Sequence, residues 1–438
     1  MMPYSTILTR FNITALNDMQ NKMLAAIHEP NDVMLISPTG SGKTIGFLLP
    51  VLQLLEVDRT GVQVLILVPS RELAIQIEGV FKQMGTAHKI NCCYGGHSVR
   101  IEENNLQHPP AILVGTPGRV AHHLRRENLV VTDTPILILD EFDKSLELGF
   151  KEEMEYIIQH CSRVTKRILT SATALKAIPE FVGIKNCVEL NYTAGQEESK
   201  SALAIKSVRV VGDDKLEALM LLLGHINAKS TLVFCNHREV VARISDQLRR
   251  NRVEHGFYHG GLEQIDREKT LIKFRNGSIN ILITTDLAAR GLDIPEIDAV
   301  IHYQLPATED VMIHRNGRTA RMNADGTAYF LLDVDDYLPP FIGFTPEEEI
   351  LPHKLTLPKP CEWKTLYIGA GKKDKINKMD IVGMLLQKGQ LQKDEVGKIE
   401  VLDHSAYVAI RSSKILKTLQ LVNEEKIKNR KVKMKISS

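Results

Sequence analysis

The chain has 438 residues, more than one hydrophobic core usually supports, so two or three domains of about 100–200 residues are expected. With 43% hydrophobic and 25% charged residues, the composition excludes a disordered, collagenous or fibrous protein. The net charge of +2 hides a segregation: residues 361–438 hold 15 Lys and 2 Arg against 9 Asp plus Glu, a surplus of +8, while the first 360 residues carry −6. A basic tail of this kind fits a polyanionic partner such as nucleic acid, or simply a solvated lysine-rich surface. No apolar run approaches the roughly 18 residues a membrane helix needs, so no membrane partner is expected. The start, Met-Met-Pro-Tyr-Ser, lacks a basic n-region and an apolar h-region, so no secretory signal is expected. Cysteines stand at 92, 93, 161, 187, 235 and 361 without a C-x-x-C pair. That spacing argues against a zinc site or a disulfide framework and points to a reducing cytoplasm.

Short β-branched runs alternate with amphipathic segments, the pattern of parallel sheets covered by helices. The first series of strands is expected at Val33–Ile36, Val64–Val68, Ala111–Val114, Ile136–Leu139 and Ile168–Thr170. The polar stretch Asn191–Ser201 reads as a linker. A second series follows at Thr231–Cys235, Ile279–Thr284, Ala299–Tyr303 and Thr327–Leu332. The proline-punctuated stretch from Leu338 to Pro360 then separates off the basic tail. There strands are expected at Thr365–Ile368, Lys398–Val401, Ala406–Ile410 and Val432–Ile436. Helices are expected up to about Leu386 and from Ser413 to about Glu424. The order βαββαβ in so short a segment is that of an RNA-recognition-motif-like module. The fold class is therefore α/β, with two parallel-sheet domains in tandem (residues 1–195 and 203–345) and a small α+β domain (364–438).

Directly after Val33–Ile36 comes Ser37-Pro38-Thr39-Gly40-Ser41-Gly42-Lys43-Thr44, followed by an apolar run. Strand, glycine loop and helix start are the context of a phosphate loop. Gly40 and Gly42 let backbone approach phosphate oxygens, and the helix N-terminus aims amide donors at them. Thr39 and Ser41 belong to the same loop. Lys43 can reach the β- and γ-phosphates, and Thr44 can ligate Mg2+. Ser37 stands where the fuller pattern has its first glycine. The run Ile136–Leu139 ends in Asp140-Glu141-Phe142-Asp143. Asp140 is placed to hold the metal, and Glu141 to orient and deprotonate an attacking water. Arg318 and Arg321, spaced i, i+3, would share one helical face, where they could stabilise γ-phosphate charge.

These motifs occur in order with Pro69-Ser70-Arg71-Glu72-Leu73, Gly95-Gly96, Thr116-Pro117-Gly118-Arg119, Ser171-Ala172-Thr173, Val233-Phe234-Cys235-Asn236, Gln264-Ile265-Asp266-Arg267, Thr285-Asp286 through Ala289-Arg290-Gly291-Leu292-Asp293, and His314-Arg315-Asn316-Gly317-Arg318-Thr319-Ala320-Arg321. The set, over about residues 10–335, resembles the DEAD-box family of RNA-dependent ATPases. The resemblance implies ATP and Mg2+ as cofactors, a ribose contact from Asp293, and a link from His314 to the acidic tetrad. It also implies RNA held by its backbone through Arg71, Gly96, Thr116, Gly118, Arg119, Gln264, Arg267 and Thr285, with closure on ATP and RNA separating strands locally. The chain departs from the family in two places. Phe142 replaces an alanine and needs more room, which bears on how the tetrad meets Ser171–Thr173. The adenine-reading motif keeps Gln20, but Ala15-Leu16-Asn17-Asp18 lacks the usual proline-bearing stretch.

The tail runs Gly371–Lys375, Gly397–Glu400 and Asp403–Val408 resemble the C-terminal RNA-binding domain of DbpA-type helicases. That resemblance implies a structured ribosomal RNA target, assembly of the large ribosomal subunit, and RNA contacts from Lys372, Lys373 and Lys375. Tyr367 and Tyr407, the only aromatic residues after Trp363, are either stacking platforms or half-buried sheet residues. The expectation is a monomeric, cytoplasmic, ATP-dependent RNA helicase. The competing readings are an RNA clamp or scaffold switched by ATP without unwinding, and a DNA translocase.

Overall fold

In the computed structural model, the described residues are 3–38, 40–96, 99–173, 177–192, 203–210, 214–228, 230–289, 297–319, 326–428 and 430–437. The chain divides into two compact units, the first within residues 1–200 and the second within 201–438.

The first unit is built on seven parallel strands: β1 (Asp32–Ile36), β2 (Val64–Leu67), β3 (Ile90–Cys93), β4 (Ile112–Gly115), β5 (Ile136–Leu139), β6 (Lys166–Ser171) and β7 (Cys187–Asn191). Their spatial order is β3-β4-β2-β5-β6-β1-β7. Strands β1, β2, β4 and β5 are buried along their whole length, as a sheet covered on both faces requires. Two apolar clusters, one on each face, hold the helices; Phe47 and Ile77 belong to one, Val120 and Ile157 to the other. The order brings β1, β6 and β5 side by side, so the loops leaving their C-terminal ends share one rim, where parallel sheets place ligand sites.

The second unit repeats that plan. Strands β8 (Ala204–Arg209), β9 (Thr231–Phe234), β10 (Gly256–Tyr258), β11 (Ile281–Thr284), β12 (Ala299–His302), β13 (Thr327–Leu332) and β14 (Glu347–Glu348) take the order β10-β11-β9-β12-β13-β8-β14. Each strand number exceeds its counterpart in the first sheet by seven, so the two topologies coincide. The expected strands are all present. The expectations omitted β3, β7, β8, β10 and β14. Four of these are sheet edges, and β7 alternates between exposed and half-buried residues instead of forming an apolar run. Strand β7 also takes Asn191 from the expected linker; residues 193–201 of that linker lie outside the described residues.

Within the second unit a third sheet is antiparallel: β15 (Trp363–Ile368), β16 (Val396–Val401), β17 (Ala406–Arg411) and, after a short hairpin β18–β19 (Lys426–Ile427, Arg430–Lys431), β20 (Met434–Ile436). The order is β16-β17-β15-β20, with helices Lys378–Gln387 and Ile415–Val422 packed through Ile381, Leu385, Ile415 and Val422 onto Leu366, Val408 and Ile410. This is the expected βαββαβ module. Its opposite sheet face lies against the second parallel-sheet domain. Thr365, 1% exposed, bonds Asn276 at 2.9 Å and Ser278 at 2.8 Å. Glu400 takes both arms of the Arg275 guanidinium at 3.0 and 2.7 Å, and Lys364 pairs with Glu254. A Cβ added to Gly277 (φ +75°) would stand only 3.3 Å from Trp363 Cδ1.

Candidate functional site

The phosphate loop owes its shape to Gly42. With φ at +88° this residue caps the helix Lys43–Leu54, and an added Cβ would sit 2.6 Å from Gln20 Nε2. Gln20 is 5% exposed and does two things there. Its Nε2 donates to Gly42 O at 3.3 Å, and its Oε1 accepts from Asn17 N at 3.1 Å in a capping box that opens the helix Asp18–Ala26. Asn17 Nδ2 in turn donates to Ser41 O at 3.1 Å. Gln20 and Asn17 therefore brace the loop from one side. Lys43 Nζ folds back onto Ser37 O and Pro38 O at 2.5 and 3.0 Å. Ser37, in place of a glycine, donates its hydroxyl to Ser41 Oγ at 2.8 Å. Gly40 also has positive φ (+86°), and Thr44 occupies the first turn of the helix. Thr39 lies outside the described residues.

On the adjoining strand ends, Asp140 is 3% exposed and accepts from the Thr170 hydroxyl. The same Thr170 oxygen accepts Glu141 N at 3.2 Å, so one threonine at the end of β6 orients both acids. Burial pushes the Asp140 carboxyl above its usual range, against the opposing pull of that hydrogen bond and of the Lys43 charge. Glu141 takes a left-handed φ of +48° where the strand turns into the helix Phe142–Glu147. Phe142 is fully buried, its ring 6.4 Å from that of Phe181. The bulk that sets this tetrad apart thus fills the core, and Asp143 still accepts from Thr173 Oγ1 at 3.2 Å. Ser171 and Thr173 close a tight turn through Ser171 Oγ, at 2.6 and 3.2 Å.

A second group lies on β3, β4 and their following helices. An added Cβ on Gly96 (φ +86°) would stand 2.3 Å from Arg71 Nη1, so the loop and the start of the helix Arg71–Met84 are in contact. Thr116 is the N-cap of the helix Pro117–Arg125, and Gly118 has open space where its side chain would be. Arg119 Nε meets Tyr94 O at 3.3 Å and Glu102 Oε2 at 3.1 Å.

In the second unit, Gln264 opens the helix Gln264–Arg275 and donates to Glu268 at 3.0 Å, while Arg267 is buried. Thr285 N reaches Tyr258 O at 3.4 Å. The expectation for Arg318 needs correction. The helix Glu309–Asn316 ends at Gly317, and Arg318 lies in the turn beyond it, not on a helical face. Glycine is a poor helix residue, and beyond it the backbone turns through Arg318 N to Arg315 O and Thr319 N to Asn316 O, at 3.2 and 3.0 Å, while the Thr319 hydroxyl donates to Ile297 O at 2.5 Å. Arg318 and His314 are both buried, 1% and 4% exposed. Arg321 and Asp293 lie outside the described residues, as does the stretch Arg290–Leu292. Sequence reasoning gave no role to Arg315, which is fully buried. It contacts Asp286 at 2.6 and 3.2 Å, Gln304 O at 2.9 Å and Asn236 Oδ1 at 2.7 Å, over the face of Phe234. Its place within the His314–Arg321 motif was the available signal.

On the third sheet, Tyr367 and Tyr407 are cross-strand partners with ring centroids 5.4 Å apart, edge to face. Tyr407 is buried, 5% exposed, on the face that meets Asn276 and Arg275. Lys372, Lys373 and Lys375 are exposed together on the loop after β15. That loop is shaped by Asp374, which accepts from Gly371 N at 3.0 Å and pairs with Arg430.

A phosphate loop beside paired strand-end acids, on the first of two RecA-like sheets, defines a nucleoside triphosphatase of the helicase kind. Three family models match in order: DEAD/DEAH box helicase over residues 17–181, helicase conserved C-terminal domain over 214–323, and DbpA RNA binding domain over 365–436. The chain is 31% identical to "ATP-dependent RNA helicase DbpA" of Escherichia coli (strain K12), over 98% of this chain and 96% of that protein. It is 30% identical to the protein of the same description from Bacillus subtilis (strain 168), over 95% and 93%. Among solved structures it is similar to Saccharomyces cerevisiae Dbp5 bound to RNA and ADP BeF3, with TM-score 0.67, 26% identity, and 75% and 86% of the two chains covered. It is also similar to Mss116p bound to single-stranded RNA and AMP-PNP, with TM-score 0.69, 25% identity, and 79% and 77% covered. The chain belongs to the DEAD-box ATP-dependent RNA helicases, and within them to the DbpA-like group. It is accordingly an RNA-dependent ATPase.

Proposed function

We propose that this helicase separates short structured segments of ribosomal RNA during assembly of the large ribosomal subunit, as a cytoplasmic monomer. The working domains are residues 1–195, 203–345 and 364–438. ATP lies on the loop Thr39–Thr44, with Asp293 on its ribose. Glu141 serves as the base for the attacking water, and Arg318 and Arg321 meet γ-phosphate charge. Thr44 and Asp140 would hold Mg2+: a hydroxyl in the first helical turn after the phosphate loop and a buried carboxylate at the end of β5 suit a hard cation, which would favour the anionic form of Asp140. The metal supplies charge neutralisation at the phosphates. Arg71, Gly96, Thr116, Gly118, Arg119, Gln264, Arg267 and Thr285 hold the RNA backbone, which carries no sequence information. Target choice falls to the third domain.

The observation that carries this reading is the DbpA RNA binding domain match over 365–436, joined to exposed Lys372, Lys373 and Lys375 on one loop. The sheet face around Thr365 and Tyr407 is occupied within the second unit, which leaves loops to meet RNA. The test compares ATPase stimulation of the full chain by large-subunit ribosomal RNA fragments and by an unrelated hairpin at matched salt. The ribosomal fragments should act at roughly tenfold or lower concentration. The triple change K372A/K373A/K375A should erase the preference while saturating RNA still stimulates turnover. Equal stimulation by both RNAs overturns the ribosomal assignment, and RNA-stimulated turnover without separation of a short RNA duplex would leave only an ATP-switched clamp.

A further inference from the structure

We infer that Glu102 is a positioning residue for RNA: one buried carboxylate locks Arg119 and the Gly95-Gly96 loop into the shape that receives the backbone. Glu102 belongs to the helix Val99–Leu106 and is 2% exposed. Its Oε1 accepts the peptide N–H of Tyr94 at 3.1 Å. Its Oε2 meets Arg119 Nε at 3.1 Å and His123 Nε2 at 2.8 Å. Three elements therefore converge on one side chain: the loop entering Gly95-Gly96, the helix Pro117–Arg125 through two of its residues, and the helix that carries Glu102. A carboxylate so buried is costly unless its charge is matched, and Arg119 matches it. The converse holds as well. An arginine whose Nε is anchored inward, to Glu102 and to Tyr94 O at 3.3 Å, keeps few orientations for the rest of its guanidinium. Arg71 packs against Gly96, so the same anchor reaches a second cation. RNA then meets preset donors and need not order them on binding.

Cys93 Sγ lies within 4.8 Å of the Glu102 and His123 donors, a trio with zinc-ligand chemistry. The guanidinium already neutralises the carboxylate, and burial pushes the Cys93 thiol up to about 12. The cluster is better read as a neutral-thiol wall beside an ion pair than as a metal site.

This inference rests on the reading of Arg119 as an RNA contact, and a double-mutant cycle on the full chain separates the two. E102Q keeps the volume and removes the charge. The RNA concentration for half-maximal ATPase should rise about tenfold or more, with kcat at saturating RNA and KM for ATP within about twofold of wild type. R119A should weaken RNA to a similar extent and lower the log–log salt slope by about 0.7. Added to R119A, E102Q should then cost less than about threefold more. If R119A leaves RNA affinity unchanged, the RNA-contact reading fails. If R119A weakens RNA and E102Q does not, the positioning role fails alone. An equal fall in kcat and RNA affinity in E102Q, with a lowered melting temperature, also overturns it. Should E102Q not fold, H123Q removes one arm of the same anchor; a rise of about threefold supports the role and no change overturns it.

Discussion

Glu141 and Gly42 show how much single positions carry. Glu141 sits in a left-handed turn whose N–H is held by Thr170, so the backbone fixes where its side chain leaves the strand end. Glu141→Gln is expected to reduce ATP turnover by at least about 10³-fold while ATP and RNA still bind, measured by phosphate release and by equilibrium binding. Near-normal turnover would remove the general-base role. At Gly42 a side chain meets two obstacles, the positive φ and the Gln20 amide. Gly42→Ala should cost about 1–3 kcal/mol of stability and raise KM for ATP, read by thermal melting and by kinetics. His302 gives a pH test. It is fully buried, with Nε2 2.9 Å from Asn316 Oδ1, and burial first, then the nearby Arg315 charge, lower its pKa from 6.5 to about 3. Between those values the unfolded chain binds the extra proton, so stability falls as pH drops through 6.5 toward 3. By pH 5 the loss should reach about 2 kcal/mol. His302→Gln should flatten the melting temperature between pH 7 and 5 by that contribution; an unchanged slope would exclude His302 as its source.

At the scale of elements, the strand ends do the positioning. Strands β1, β5 and β6 deliver the phosphate loop, the acids and Thr170 to one rim because parallel neighbours end at the same level. In the second unit the loops after β9, β11 and β12 are joined by Arg315, through Asn236, Asp286 and Gln304 O. Two of these loops belong to separate sequence motifs and Arg315 to a third, so one arginine sets their spacing. Arg315→Gln should destabilise the second unit by about 2–3 kcal/mol. Asp286, with a side chain 36% exposed, can recover water and limits the loss. Denaturant unfolding of the full chain would show it as a lower midpoint for the second transition. An unchanged midpoint would mean the loops are held by packing alone.

On the scale of the whole molecule, the basic module is no loosely hung tail within its unit. Thr365, Asn276 and Ser278 form a buried polar cluster, with Arg275–Glu400 and Lys364–Glu254 around it. A chain truncated after Pro360 should keep RNA-stimulated ATPase activity and lose any preference for ribosomal RNA. It should also melt several degrees lower in its second unit, because Asn276 and Ser278 lose their partner. An unchanged melting temperature would show that the polar cluster adds nothing to the stability of the parallel-sheet domain.

The amino-acid order alone determined the chemistry-bearing loops. A glycine loop between a strand and a helix, and an acidic tetrad at a strand end, are local patterns, and local patterns survive in sequence because each needs only its neighbours. The fully buried inner strands were legible for the same reason: burial on both faces leaves a continuous apolar run, which the inner but half-exposed β8 lacks. The edge strands β3, β7, β10 and β14 were not, since one open side relaxes that demand. Nor could the sequence show that the two sheets share one strand order, because topology is a relation between distant segments. Tertiary structure alone decided that Gln20 braces Gly42, that Phe142 turns into the core, that Arg318 falls beyond its helix, and that Glu102, Arg119 and His123 meet. Each of these depends on burial, which favours apolar contacts and penalises polar groups left without a partner, and burial is fixed only when the chain has folded.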